Sequence, residues 1–109
     1  MTVADIYQKI EAEVICGDVA RPYSGVYVGD LLSRAMSHVQ ASDLWVTIMS
    51  NANVVAVATL TEPAAVILAE DVELQADALK AATENGITVL RSPLSAYEIC
   101  VRMSKEIGA

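Results

Sequence analysis

Residues 44–61, LWVTIMSNANVVAVATLT, decide the fold of this chain. The first six residues form an apolar run typical of a buried strand, and the run ends at Ser50. The segment after it has two interpretations. Asn51 or Asn53 would cap a helix whose alanines allow close packing on a sheet, whereas the valines and threonines favour a strand returning through a hairpin. For the stretch 51–61 we favour the helix.

The same succession recurs along the chain. Three more apolar stretches, Ala12–Cys16, Ala65–Ala69 and Ile87–Leu90, each end in small polar or charged residues and precede a helix-like segment. Alternating buried strands and helices predict an α/β domain with a mainly parallel sheet of four to five strands. Ligand sites in such sheets lie beyond the carboxyl ends of the strands. The residues expected there are Gly17-Asp18, Ser50-Asn51, Glu70-Asp71 and Arg91-Ser92.

The segments between the strands predict helices and one long loop. Residues 18–27 contain a proline and a glycine without clear periodicity, so we predict a loop and expect any functional insertion there. After it, Gly29 or Asp30 would cap a second helix. A later helix spans residues 74–85 and ends at Gly86, which suits a left-handed conformation. The predicted buried stripe of the second helix is Val28, Leu31, Leu32, Ala35 and Val39.

Composition limits the class of protein. The 109 residues suit one domain, and 7 basic against 14 acidic residues give a net charge of −7, which argues against nucleic acid as a partner. The hydrophobic share is 54% and the mean hydropathy is +0.42. Either the core is rich in alanine and valine, or an apolar face is buried in an oligomer, and we expect a homodimer. No apolar run is long enough to cross a membrane and no leader opens the chain, so we expect a cytoplasmic protein.

Catalytic and metal-binding signatures are missing from the sequence. No glycine-rich phosphate-binding loop is present. His38 is the single histidine, and Cys16 and Cys100 match no metal-ligand spacing, so we expect no metal, no cofactor and no catalytic residue. Cys16 is interpreted as a buried, unreactive thiol. The alternative is a reactive thiol with a lowered pKa. An enzyme that uses Cys16 or His38 is the least favoured hypothesis.

A binding site is the more specific hypothesis. Backbone N–H groups in the turn at residues 50–53 would attract an anion, although helix capping alone satisfies the same donors. Arginines near the strand ends would meet a carboxylate or phosphate, or else pair with acidic residues of this chain, which we favour. The candidate ligand-binding residues are Ser50, Asn51, Asn53, Asp18, Arg21, Tyr23 and Arg91.

Three stretches carry a resemblance to a known family. They are Gly25-x-Tyr27-Val28-x-Asp30-Leu31-Leu32-Ser33, the strand and turn from Trp45 to Asn51, and Ala65–Glu70 with Val89-Leu90. Together they resemble the DRTGG domain over residues 10–105, and the whole chain, residues 1–109, looks like a single stand-alone domain. The resemblance implies a three-layer α/β/α sandwich, similar to the N-terminal domain of HPr kinase/phosphorylase.

The chain departs from the motif that names the family. Asn51-Ala52-Asn53 stands where Asp-Arg is common, and Ala69-Glu70-Asp71 stands where Thr-Gly-Gly is common. Small relatives are often labelled serine kinases, but the phosphate-binding loop of HPr kinase belongs to a domain that this chain lacks. The resemblance implies a regulatory or dimerising module, and we predict a non-catalytic interaction domain that binds a protein partner at the carboxyl end of its sheet. The alternative is a sensor of a small anionic ligand or nucleotide.

Overall fold

Five short strands form one sheet at the centre of the computed structural model, which describes residues 1–107. Their spatial order is β1-β5-β4-β3-β2. Strands β2 to β5 run parallel to one another, and β1 is antiparallel to β5. The predicted α/β fold with a mainly parallel five-stranded sheet is therefore confirmed. The strands are β1 (Glu13–Cys16), β2 (Gly25–Val28), β3 (Asp43–Thr47), β4 (Ala65–Leu68) and β5 (Val89–Arg91).

Helices cover both faces of the sheet and complete three layers. Buried residues of α2, α3 and α4 pack with Trp45 in one core cluster. Buried residues of α1 and α5 pack with Leu44 and Val46 in the other cluster. Every residue of β3 and β4 is buried, which explains the unbroken apolar runs. The helices are α1 (Val3–Ile6), α2 (Leu32–His38), α3 (Ala52–Thr61), α4 (Ala76–Glu84) and α5 (Ala96–Ile107).

The segment after β3 is a helix, as predicted. The side chain of Asn51 caps α3 by accepting a 3.1 Å hydrogen bond from the amide of Asn53. The hydroxyls of Thr59 and Thr61 donate to carbonyls one turn earlier, so these strand-favouring residues are satisfied within the helix. Ala58 is fully buried, which allows close packing between the helix and the sheet. The hairpin alternative is wrong.

The prediction of a loop over residues 18–27 is wrong at its end. Residues 25–28 form β2, which pairs in parallel with β3, with Val28 beside Val46. Val28 and Leu31 are exposed, and α2 begins only at Leu32, so neither belongs to a buried helical stripe. A strand of four residues that begins with glycine and lies at a sheet edge carries little periodicity, which is why the pattern missed it.

The direction of β1 places Gly17-Asp18 at a different edge of the sheet from the one predicted. Because β1 is antiparallel to β5, Cys16 lies beside Val89 at the start of β5. Gly17 and Asp18 therefore lie at the amino edge of the sheet, away from the other polar strand ends. The predicted helix end is confirmed, since Gly86 follows α4 with a φ of +67°.

Candidate functional site

Four connections meet at the carboxyl edge of the parallel strands, where a ligand or partner is expected in this fold. They begin at Gly29 after β2, at Ile48 after β3, at Ala69 after β4 and at Ser92 after β5. Helices α2 to α5 begin from these connections, so their amino-terminal ends face the same edge. Of the four residue pairs predicted beyond the carboxyl ends of the strands, three lie at this edge, namely Ser50-Asn51, Glu70-Asp71 and Arg91-Ser92.

The turn at Ser50 is held by neighbouring helices. The carbonyl oxygen of Ser50 accepts a 3.0 Å hydrogen bond from the amide of Gln75, which precedes α4. Asn51 caps α3 with its side chain oxygen, so the capping interpretation is confirmed for that residue. Asn53 is exposed on the first turn of α3. Together, Ser50, Asn51 and Asn53 form a polar, partly exposed turn with a fixed backbone.

Asp30 is a residue of this edge that the sequence analysis missed. Its Oδ1 atom accepts hydrogen bonds from the Thr47 hydroxyl at 2.8 Å and from the Ile48 amide at 2.9 Å. The Thr47 hydroxyl in turn accepts from the Met49 amide at 3.2 Å. Gly29 or Asp30 was expected to cap α2, but the N-cap of this helix is Leu31. Asp30 instead joins the end of β2 to the turn that follows β3.

Arg91 pairs with acidic residues of the same chain, as favoured from the sequence. Its guanidinium lies 3.5 Å from a carboxylate oxygen of Glu13, 3.3 Å from one of Asp71 and 3.8 Å from one of Glu73. The three carboxylates are largely exposed, whereas Arg91 is mostly covered. One positive charge therefore meets three negative charges, and the surface around Arg91 is acidic.

The structure does not bring Asp18, Arg21 and Tyr23 to this edge. The Asp18 amide donates to the Thr88 hydroxyl at 3.0 Å, at the start of β5. Tyr23 is buried in the cluster beneath α1 and α5. Arg21 lines a depression at the amino edge with Glu62. The predicted set of seven residues is therefore divided, because the residue range 17–24 leads from the end of antiparallel β1 to the beginning of β2.

Cys16 is partly buried, and His38 contacts neighbouring residues. Burial raises the pKa of the Cys16 thiol, which disfavours the thiolate that a reactive cysteine needs. The Nδ1 atom of His38 lies 2.9 Å from the Arg34 carbonyl oxygen, and its ring stacks on Tyr27. Within residues 1–107, the structure has no group of three or more His, Cys, Asp or Glu side chains that could hold a metal ion.

An apolar surface lies at the carboxyl edge beside β2. Val28 is 48% exposed, Leu31 is 61% exposed and Ile48 is 42% exposed. Val28 ends β2, Leu31 precedes α2, and Ile48 follows β3, the neighbouring strand, so the three lie at the same end of adjacent strands. We call these three residues the rim patch. None of the helices in the described residues 1–107 is both long enough and apolar enough to span a bilayer.

The fold of this chain occurs in solved structures of other proteins. The fold is similar to a structure of the CBS and DRTGG domains of the regulatory region of Clostridium perfringens pyrophosphatase, complexed with its activator diadenosine tetraphosphate. The TM-score is 0.73 at 14% sequence identity, which shows a shared fold. The match covers 94% of this chain and 45% of that chain, so this protein spans less than half the length of the relative. No curated protein sequence matches the chain significantly.

The sequence of the chain, matched against models of protein families, shows the family to which it belongs. The family model described as the DRTGG domain matches residues 5–105 of the 109-residue chain, from α1 to the last helix. The match includes all five strands and the polar connections at both edges of the sheet. The chain belongs to the DRTGG domain family.

Proposed function

We propose that this chain is a non-catalytic regulatory domain that acts by self-association and by binding a protein partner at the carboxyl edge of its sheet. The observation that carries the proposal is the rim patch, in which Val28, Leu31 and Ile48 expose apolar side chains at the same end of two adjacent strands. Exposed apolar groups that cluster at one place favour protein association, because burial removes their surface from water. The high hydrophobic share of the sequence agrees with such a face.

A regulatory role also agrees with the relatives of the chain. The solved structure with the same fold belongs to a regulatory region, where DRTGG and CBS domains occur together. The surroundings of Cys16 and His38 agree with a binding role, since burial raises the pKa of the Cys16 thiol and His38 contacts Arg34 and Tyr27. In this proposal, a protein partner docks on the rim patch and competes with formation of the homodimer.

Light scattering coupled to size-exclusion chromatography tests the proposal. We expect the wild-type chain to be a dimer at about 50 µM, a concentration well above a dissociation constant of about 1 µM, which corresponds to about 8 kcal/mol of association free energy. Leu31→Asp places a charge in the rim patch and is expected to give a monomer. The matched control is Leu60→Asp, because Leu60 is 70% exposed near the carboxyl end of α3, at the amino edge of the sheet. A monomeric wild-type chain, or a Leu31→Asp dimer, would contradict self-association through this patch.

A second candidate function is a sensor of a small anionic ligand or nucleotide. The turn formed by Ser50, Asn51 and Asn53 lies at the start of α3, where backbone amides and the helix dipole favour an anion. The structural relative is complexed with a nucleotide activator, which makes nucleotides the first ligands to test. Asp18, Arg21 and Tyr23 lie at the other edge, so they do not contribute to this candidate site, whereas Arg91 lies at the same edge.

Thermal-shift measurements with diadenosine tetraphosphate and mononucleotides test the sensor hypothesis. Asn51→Ser keeps a side chain that caps α3, so any ligand-induced shift should remain. Asn51→Asp also caps the helix but adds a negative charge, so an anion-induced shift should disappear. If no compound at about 1 mM stabilises the wild-type chain, by the linkage between binding and stability, the sensor hypothesis is wrong and the interaction domain remains.

A further inference from the structure

The sheet has two open edges of different character. On one side lies β2 with the apolar rim patch, and on the other side lies β1, which pairs only with β5 in the described structure. The free side of an edge strand offers backbone N–H and C=O groups to another extended chain. The β1 edge is therefore a second surface, separate from the one in the proposed function.

A groove of about 540 Å³ lies beside β1, between this strand and the start of α4. Its apolar wall is formed by Ile15 of β1 and by Leu74 and Leu79 on the α4 side. Leu79 is 37% exposed, so it presents an apolar side chain to the groove. A groove of this kind beside an open strand suits an extended segment whose alternate side chains point into it.

The rim of the groove is acidic. Arg91 and Glu73 line the groove, and Arg91 also borders an adjoining depression that is lined by Glu13 and Asp71. Glu73 is 82% exposed and lies 3.8 Å from the guanidinium of Arg91. Because Arg91 is shared among three carboxylates, the exposed charge at this edge is negative.

This charge decides between two kinds of occupant. A second copy of the chain on the groove would bring a second net charge of −7 and a second set of the carboxylates of Glu13, Asp71 and Glu73 to the interface, and like charges oppose such an association. A basic segment would instead meet complementary charges. We infer that the groove beside β1 binds a basic, extended segment of a partner protein, which adds a strand to β1, inserts apolar side chains between Ile15 and Leu79, and directs lysines or arginines to Glu73 and Glu13.

The inference is tested with a defined probe, a fluorescein-labelled heptapeptide of alternating Lys and Val, by fluorescence anisotropy. We expect saturable binding that weakens as NaCl rises from about 0.05 to about 0.5 M, because salt screens exposed charges. Two control peptides separate the contributions of charge and apolar contact. One replaces every Lys by Glu and the other replaces every Val by Ser, and both should fail to saturate.

Variants of the chain locate the binding. Glu73→Lys is expected to weaken binding about fivefold or more, while the control Glu84→Lys, at the far end of α4, should change it less than about twofold. Leu79→Asn should also weaken binding about fivefold, whereas Leu60→Asn on α3 should not. Should Leu79→Asn fail to fold, the charge-reversal pair still decides the question.

Four results would overturn the inference. One is equal weakening by Glu73→Lys and Glu84→Lys, which would indicate attraction to the net charge alone. A second is a peptide-induced set of amide chemical-shift changes that lies at β2 and not at β1 and α4. Absence of binding at about 1 mM, near the weak limit of specific recognition, would also contradict it. A homodimer whose contacts map to Ile15 and Leu79 would do the same.

Discussion

Arg91 donates two hydrogen bonds to the backbone carbonyl oxygen of Asp71, from Nε at 3.2 Å and from Nη2 at 3.0 Å. Asp71 and the preceding residue, Glu70, both have left-handed backbones, with φ of 60° and 57°. Their amides donate to the carbonyls of Ser92 and Leu94. The name-giving motif of the family commonly has two glycines at these positions. The turn therefore has the backbone conformation that glycine favours, although acidic residues occupy both positions. Hydrogen bonds to β5 and to the connection that follows it hold this conformation.

Replacing Glu70 by glycine should stabilise the protein. A left-handed backbone costs an L-residue about 1–2 kcal/mol, while glycine loses about 0.5–1 kcal/mol more conformational freedom on folding. We therefore expect Glu70→Gly to raise the free energy of unfolding by about 0.5–1 kcal/mol, measured by urea denaturation. Lys80→Gly, at an exposed position in the interior of α4, is the control and should lower it by about 1 kcal/mol. Equal losses in the two variants would show that the turn is not strained.

The bond between Asp30 and Thr47 predicts a graded effect of substitution. Asp30→Ala leaves the buried Thr47 hydroxyl and the Ile48 amide without this acceptor, so the free energy of unfolding should fall by about 1–3 kcal/mol. Asp30→Asn keeps an acceptor oxygen and should cost less than about 1 kcal/mol. In a double-mutant cycle with Thr47→Val, the double variant should lose less free energy of unfolding than the sum of the losses in the two single variants. Additive losses would indicate that the two residues act independently.

The central part of the fold could be predicted from the sequence because its strands are buried on both faces. The runs that became β3 and β4 are continuous and apolar, and Asn51 marks the start of α3. Strand β2 could not be recognised, since four half-exposed residues carry neither an apolar run nor a clear alternation. The direction of β1 depends on its pairing with β5, more than 70 residues later, and no local pattern encodes it.

The candidate site could be predicted only in part, because only some of its contacts are between residues close in sequence. The turn after β3 follows directly from its local sequence, so the position of Ser50 and Asn51 at the carboxyl edge of the sheet could be predicted. Asp30 acts on Thr47, 17 residues away, and that contact depends on the parallel register of β2 and β3. The one available signal was the position of Asp30 shortly after Val28. That position is equally typical of a helix cap.

The two thiols should react slowly in the native protein. Burial raises the pKa of both Cys16 and Cys100 above the usual value of about 8.5, so less thiolate is present near pH 7 than in the unfolded chain. Iodoacetamide labelling followed by mass spectrometry should be slow without denaturant and fast in urea. Because the pKa values are raised on folding, the associated stability is present below about pH 8.5 and is lost as the pH rises through the folded values.

Single Cys16→Ser and Cys100→Ser variants assign each rate to one thiol. The half-burial of both cysteines gives the same direction for each, so neither should be labelled rapidly at neutral pH. Rapid labelling of Cys16 at pH 7 in the native Cys100→Ser variant would contradict the raised pKa and would restore the hypothesis of a reactive thiol.

Gly17 should be the least replaceable glycine in this chain for which the contacts are described. Its φ is +95°, and an added Cβ would overlap with the Thr88 Cα atom. Because that contact is with backbone, no rotamer change relieves it, and the Asp18–Thr88 hydrogen bonds would have to break. We expect Gly17→Ala to lower the free energy of unfolding by about 3 kcal/mol, from overpacking together with the left-handed backbone.

Gly86→Ala is the matched control for this substitution. Gly86 also has a positive φ, of +67°, but an added Cβ would meet nothing within 4 Å. Its replacement should therefore cost only the conformational term of about 1 kcal/mol. Urea denaturation of the two variants isolates the cost of close packing between Gly17 and Thr88. If the two losses were equal, that contact would not limit stability, whereas a larger loss for Gly17 would show that the turn after β1 needs glycine because it packs closely on Thr88 beside β5.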